Sequence, residues 1–177
     1  MSQVPPSPAE ELFDVVDERD HVIATRSRAF VHQHKLLHRA IHVFLFRPNG
    51  QLLIHKRSPA KEEFPSVWTS SCSGHVSAGE SYDDSAPREL HEELSITGAN
   101  LQQLHKFPAC SDTSWEFTTL YSTTSNQIPV PDPSEITDLI WLHPAKIAAW
   151  MSSSPSEFSP AFRLLLNWFL NSRYFSP

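Results

Sequence analysis

Glu80, Glu89, Glu92 and Glu93 crowd into one short stretch, GHVSAGESYDDSAPRELHEELSI, residues 74 to 96. If 81 to 94 is helical, Glu89, Glu92 and Glu93 stand at i, i+3 and i+4, and their carboxylates converge on one face. Glu80 sits just ahead of the helix and can fold back toward them. Ala86, Leu90 and Leu94 recur every four residues and make a neighbouring face suited to a core. Like charges held this close repel, and two arrangements relieve the repulsion. One is a solvated amphipathic helix with Arg88 and His91 as neighbours. The other is a divalent cation: hard oxygen donors gathered this way suit Mg²⁺ or Mn²⁺, which keep some waters and bridge to substrate phosphates.

The elements that must position these carboxylates are legible on both sides. LFDVV and HVIATRS flank DERD and predict a small N-terminal hairpin. AIHVFLFRPNGQLLIHKRS predicts a second one, because Asn49-Gly50 between two apolar runs suits a tight turn. A loop leads into a strand near 68–73. LQQLHKFPAC, WEFTTLYSTT and ITDLIWL read as further strands, with the Pro-broken NQIPVPDPSE between the last two. PAKIAAWMSSS has proline at a helix start, and PAFRLLLNWFLNSRYF is apolar around most of its circumference, as a largely buried helix would be. The reading is α+β, with strands dominating the middle and helices after residue 80 and at the end. The Pro- and Ser-rich segment 1–9 predicts a mobile arm, and 10–177 a single domain.

Composition narrows the class. The chain has 177 residues, 40% hydrophobic, enough for a packed core. A formal charge of −6 argues against bulk nucleic-acid binding, which needs massed Lys and Arg, while leaving room for a small phosphorylated substrate beside a bound cation. Two cysteines, Cys72 and Cys110, make no disulfide framework and fit a reducing cytosol. With no basic-then-apolar leader and no apolar run of about 20 residues, the expectation is a cytoplasmic protein away from membranes.

Spacing beyond the helix decides between the two arrangements. Gly74, five residues, Glu80, seven residues, Arg88-Glu89-Leu90, one residue, Glu92-Glu93, one residue, Ser95-Ile96 resembles the signature of the Nudix hydrolase family. One position departs: Ser95 stands where the family has glycine. That glycine serves as a left-handed cap, so serine costs on the order of 1 kcal/mol there, or the cap slides to Gly98. Pro87 is the odder residue; with Ser85 as the cap it falls in the tolerated first turn, and otherwise it kinks the helix.

The resemblance implies a mixed sheet sandwiched between helices, an α/β/α arrangement, and a reaction on a diphosphate. LLHRAIHVFLF, GQLLIHKRSPAK, FPSVWTSSCSGH, WEFTT and FSP look like the branch that contains isopentenyl diphosphate isomerase and its hydrolase-like relatives. Isomerases of that branch use a cysteine before the Gly-His of this strand, and here Ser73 holds its place. Cys72, one residue early, points to the opposite face of a strand. Glu116 matches the isomerase's essential glutamate, but its companion has become Ser114 and the substrate-contacting tryptophan has become Ala161. His38 and His75 match two histidine ligands of a possible second metal; the third position holds Val31, with His32 or His34 as substitutes if the alignment shifts. Isomerases also degrade the paired glutamates, which this chain keeps.

The resemblance therefore favours a hydrolase. Mg²⁺ or Mn²⁺ held by Glu89, Glu92, Glu93 and Glu80 would neutralise the diphosphate and acidify a water that attacks phosphorus. Arg57 and Lys61 fall where the branch anchors the diphosphate, and Glu116 where it contacts substrate. Arg88 orients a glutamate. The general base is one of Glu92, Glu93 or the loop residue Glu135. The expected substrate is a small molecule of the nucleoside-diphosphate type, a prenyl diphosphate staying open; Trp68, Trp115, Phe117 and Phe158 either stack on the organic group or belong to the core. An isomerase and a non-catalytic module binding a diphosphate metabolite are the alternatives.

Overall fold

The computed structural model describes residues 11–175, so the arm expected at 1–9 lies outside the described residues. β1 (Leu12–Val16) and β2 (Val22–Ser27) form the expected antiparallel ribbon. Its turn is closed by the Asp17 carboxylate, which accepts from the backbone N–H groups of Arg19 and His21 at 2.8 and 2.9 Å. Then comes an element that the sequence reading left out, α1 (Arg28–His34). Ser27 Oγ accepts the Phe30 N–H at its start, and Lys35 ends it in a left-handed conformation, φ 50°. Only Val31 of this helix is buried, so it leaves no apolar period to read.

The main sheet holds β3 (His38–Phe46), β4 (Leu52–Arg57), β5 (Trp68–Thr69), β6 (Cys72–His75), β7 (Gln102–Phe107), β8 (Glu116–Thr124) and β9 (Ile136–Leu142). Its order is β5-β4-β3-β8-β7, with β6 also on β3 and β9 also on β4. β3 and β8 run parallel and the other pairs antiparallel, so the sheet is mixed, as expected. The strand expected near 68–73 is divided. β3 and β4 pair only at Phe46 and Leu52, beside a turn where Gly50 takes φ 80°, and then splay. Between them Ser71 Oγ donates to Leu53 O at 2.6 Å and accepts the Leu45 N–H at 2.8 Å, which satisfies both strands across the gap.

Alternation along β3 builds the layers. Ile41, Val43 and Leu45 pack toward α2 (Tyr82–Leu94), through Ala86, Leu90 and Leu94. Phe44 packs on the other face, against α3 (Pro144–Ser153) and α4 (Pro160–Leu170), through Ile147, Met151, Phe162 and Phe169. The outcome is the expected α/β/α sandwich.

α2 does not start late. Ser81 is its cap, with Oγ accepting the Asp84 N–H at 3.2 Å, and the helix runs through Pro87. Pro87 removes one backbone donor; the Ser81 cap, the favourable dipole placement of Asp83 and Asp84, and the buried Ala86–Leu90–Leu94 face hold the helix across it. At the far end Ser95 takes the left-handed conformation itself, φ 56°, and its N–H donates to His91 O at 2.8 Å. The cap does not slide to Gly98.

Candidate active site

β6 has a hydrogen-bonded neighbour on one side only, and α2 lies over it. The free edge takes up the glutamates. Ser73 N–H donates to Glu93 Oε2 at 3.3 Å. Gly74 leaves the place of a side chain to Glu89: a Cβ there would sit 2.0 Å from the Glu89 carboxyl carbon. Glycine is thus required for space, and any side chain would eject the carboxylate. Arg88 gathers the rest. Its Nε and Nη2 each donate to Glu80 at 2.8 Å, and Nη1 donates to Glu89 at 2.8 Å and Glu92 at 3.0 Å. Nη2 also reaches the His75 carbonyl at 3.2 Å. The four glutamates do converge, with Glu92 outermost.

Their charges are not equally settled. Burial pushes the Glu89 carboxyl up to about 7 against the pull of Arg88. Burial, and then the charges of Glu89 and Glu135, push Glu93 up to about 8. Burial opposes ionisation of Glu80 too, but its bonds to Arg88 win and its pKa falls. Two buried acids pushed well above the usual carboxyl range beside two further carboxylates form a hard-oxygen donor set short of positive charge, and a divalent cation fits it.

A second cluster lies across β6. One ring nitrogen each from His32 on α1, His38 on β3 and His75 on β6 come within 4.8 Å of one another. The Nε2 atoms of all three are enclosed without a hydrogen-bond partner. His38 Nδ1 lies 2.9 Å from the Leu36 carbonyl, which can only accept, so Nδ1 carries the proton and Nε2 the lone pair. His32 Nδ1 is 3.5 Å from Glu63. Glu116 Oε1 approaches the Nε2 atoms of His75 and His38 at 3.0 and 3.5 Å, misaligned for full hydrogen bonds. Burial would raise the Glu116 pKa, yet these two imidazoles outweigh it and hold the carboxyl well below the usual range. Three convergent ring nitrogens and a carboxylate suit zinc or a similar borderline ion. Val31, at the expected third position, is instead a core residue, and His34 stacks on Phe30; His32 takes the place.

Glu89, Glu92 and Glu93 of the first cluster and His75 of the second line one cavity of about 680 Å³. Arg57, Lys61, Glu116 and Glu135 share its wall. Arg57 Nε donates to the Glu63 carbonyl at 3.1 Å, and burial lowers its pKa. Lys61 is ion-paired with Glu135. Trp68 and Phe158 are core residues instead, and Trp115 lines a separate pocket of about 180 Å³ with His32 and His38. Phe117 is also buried; of the large wall's described residues, Phe64 is the single phenyl or indole side chain. Sequence reasoning missed Glu63 and the Glu11–Arg28 pair, both in this wall, because neither belongs to a spaced motif; His42, four residues from His38, reads from sequence as a strand residue that adds little, and it too lines the wall.

A family model described as the NUDIX domain matches residues 36–162. The chain belongs to the Nudix family. It is 32% identical to an isopentenyl-diphosphate Delta-isomerase of Streptomyces griseus, over 88% of this chain and 82% of that one. It is 31% identical to an uncharacterized Nudix hydrolase of Yersinia pestis, over 88% and 83%. Among solved structures, DR0079 from Deinococcus radiodurans superposes with a TM-score of 0.79 at 28% identity, covering 89% of this chain and 98% of that one. The protein is thus an enzyme of the Nudix hydrolase type, in the branch resembling the isomerase.

Ser73 and Ala161 both face this cavity. Cys72 packs in the core beneath α2, where burial pushes its thiol far up, out of reach of proton chemistry.

Proposed function

We propose that this Nudix enzyme hydrolyses a diphosphate linkage in a nucleoside-diphosphate-type substrate, with Mg²⁺ or Mn²⁺ held by Glu89, Glu92, Glu93 and Glu80. The observation that carries the reading is Glu89 seated in the gap left by Gly74, with Glu93 beside it on the wall that also holds Arg57 and Lys61. When bound, the ion supplies charge neutralisation and a more acidic water. Arg57 and Lys61 meet the phosphate oxygens, Lys61 exchanging Glu135 for the substrate. The freed Glu135, Glu92 and the buried Glu93 are the carboxylates on this wall that could take the water's proton. Arg88 holds the glutamates in register and stays off the substrate. Cys72 and Cys110 are unpaired and no helix among the described residues could span a membrane, which supports work in a reducing cytosol.

The His32–His38–His75 cluster with Glu116 favours one second reading, an isomerase of the branch. Against it, Ser73 offers no thiol for proton transfer. A panel of nucleoside and prenyl diphosphates incubated with Mg²⁺ or Mn²⁺ separates the two. Phosphate release that Glu93→Gln lowers about a thousandfold upholds the hydrolase. Double-bond migration without release overturns it in favour of the isomerase, and binding without either product leaves a non-catalytic module.

A further inference from the structure

His42 is a buried histidine that the proposed chemistry leaves unused. It lies on β3 directly opposite Ser73 of β6 and lines the large cavity. Its protonation pattern can be read from its neighbours. Ser70 has one hydroxyl proton and donates it to the Cys72 carbonyl at 3.0 Å. The 2.7 Å contact between Ser70 Oγ and His42 Nδ1 must then run the other way, with Nδ1–H donating. His42 Nε2 is therefore a lone-pair acceptor. Among the described residues it has no protein partner, yet it is not sealed like the Nε2 atoms of His32, His38 and His75, so it opens onto the cavity. Burial, only partly offset by Glu116, pulls its pKa down to about 4, so the imidazole is a neutral acceptor at physiological pH.

Four small residues, Ala40, Thr69, Ser159 and Ala161, line the same cavity. Ala40 and Ala161 open space, and Thr69 Oγ1 and Ser159 Oγ lie 3.0 Å apart. We infer that His42 Nε2 accepts a hydrogen bond from an amino or hydroxyl group on the organic half of the substrate, making His42 the residue that selects polar, donor-bearing diphosphates such as nucleosides over prenyl chains. A hydrocarbon chain in that space leaves the buried acceptor facing apolar surface, which costs about ten- to a hundredfold in affinity. The inference deepens the proposed hydrolase reading and rests on it for the diphosphate.

Binding without turnover tests it. On the unaltered chain, with Mg²⁺, calorimetry compares a nucleoside methylenediphosphonate with a geranyl methylenediphosphonate. The nucleoside compound should bind at least about tenfold tighter; equal or reversed affinities overturn the inference. His42→Leu should weaken the nucleoside compound about ten- to a hundredfold while leaving methylenediphosphonate itself within about twofold. Equal weakening of both in a folded variant, or no change in either, overturns it. Should His42→Leu not fold, the ligand comparison on the unaltered chain decides alone, and Ser70→Ala, which frees the Nδ1 proton, should lower the preference about threefold. A chain that binds the nucleoside compound selectively but hydrolyses nothing refutes the hydrolase reading and leaves this inference standing.

Discussion

The glutamate and histidine clusters sit on opposite sides of one four-residue strand, yet they are prepared differently. Every glutamate in the first has a protein donor: Arg88 serves Glu80, Glu89 and Glu92, and the Ser73 N–H serves Glu93. In the second, the Nε2 atoms of His32, His38 and His75 have none. The first cluster is a charge problem partly solved by an arginine, with the Glu89 and Glu93 carboxyls still pushed well above their usual range. The second is a set of unpartnered ring nitrogens gathered within 4.8 Å of one another. The contrast teaches that a donor set can be assembled either by a resident counter-charge, which lets ions exchange with substrate, or by enclosure, which favours one retained ion.

Four changes would break or sharpen this contrast. The largest effect belongs to Gly74→Ala, which displaces the Glu89 carboxylate and leaves the histidines in place. Phosphate release should fall about a hundredfold, and thermal unfolding should show a loss of about 1–3 kcal/mol. Next, His38→Ala should abolish a tightly held ion detected by elemental analysis while lowering phosphate release by less than about tenfold; complete loss of release would merge the two clusters into one functional unit.

The third test is pH. Glu89 and Glu93 have folded pKa values near 7 and 8, above their unfolded values, so the native state binds more protons. Their contribution to stability is present at low pH and lost as pH rises through those values. Without divalent ions the melting temperature should drop by a few degrees between about pH 6.5 and 8.5, and excess Mg²⁺ should flatten the decline. The depressed groups, Glu116 among the acids and His42 and His55 among the bases, act below that window. Smallest is Ser95→Gly, which touches neither cluster. Relief of the left-handed serine should add about 1 kcal/mol of stability in denaturant titration and leave activity unchanged.

The glutamate cluster was the legible one. Its ligands sit at helical spacing on one element, and its strand glycine belongs to the same fixed motif, so sequence distance translates into space. The sheet also followed from pattern, ITDLIWL becoming β9 without adjustment. The histidine cluster draws on α1, β3 and β6, and α1 is a short helix with a single buried residue, so nothing marked His32 over Val31. Glu63 and His42 reach the cavity through loop path and strand register, which no local spacing encodes. At Pro87 local propensity misled, because Ser81 and the packed face of α2 set the helix start.

β6 also limits how such an enzyme can diversify. Cys72 and Gly74 look toward α2, Ser73 and His75 toward the opposite side. Adding or deleting one residue within 72–75 would interchange those faces, pressing an imidazole against the glutamates and a bare glycine against the histidines. Descendants of this chain can therefore alter what the strand presents only by point substitution at constant length.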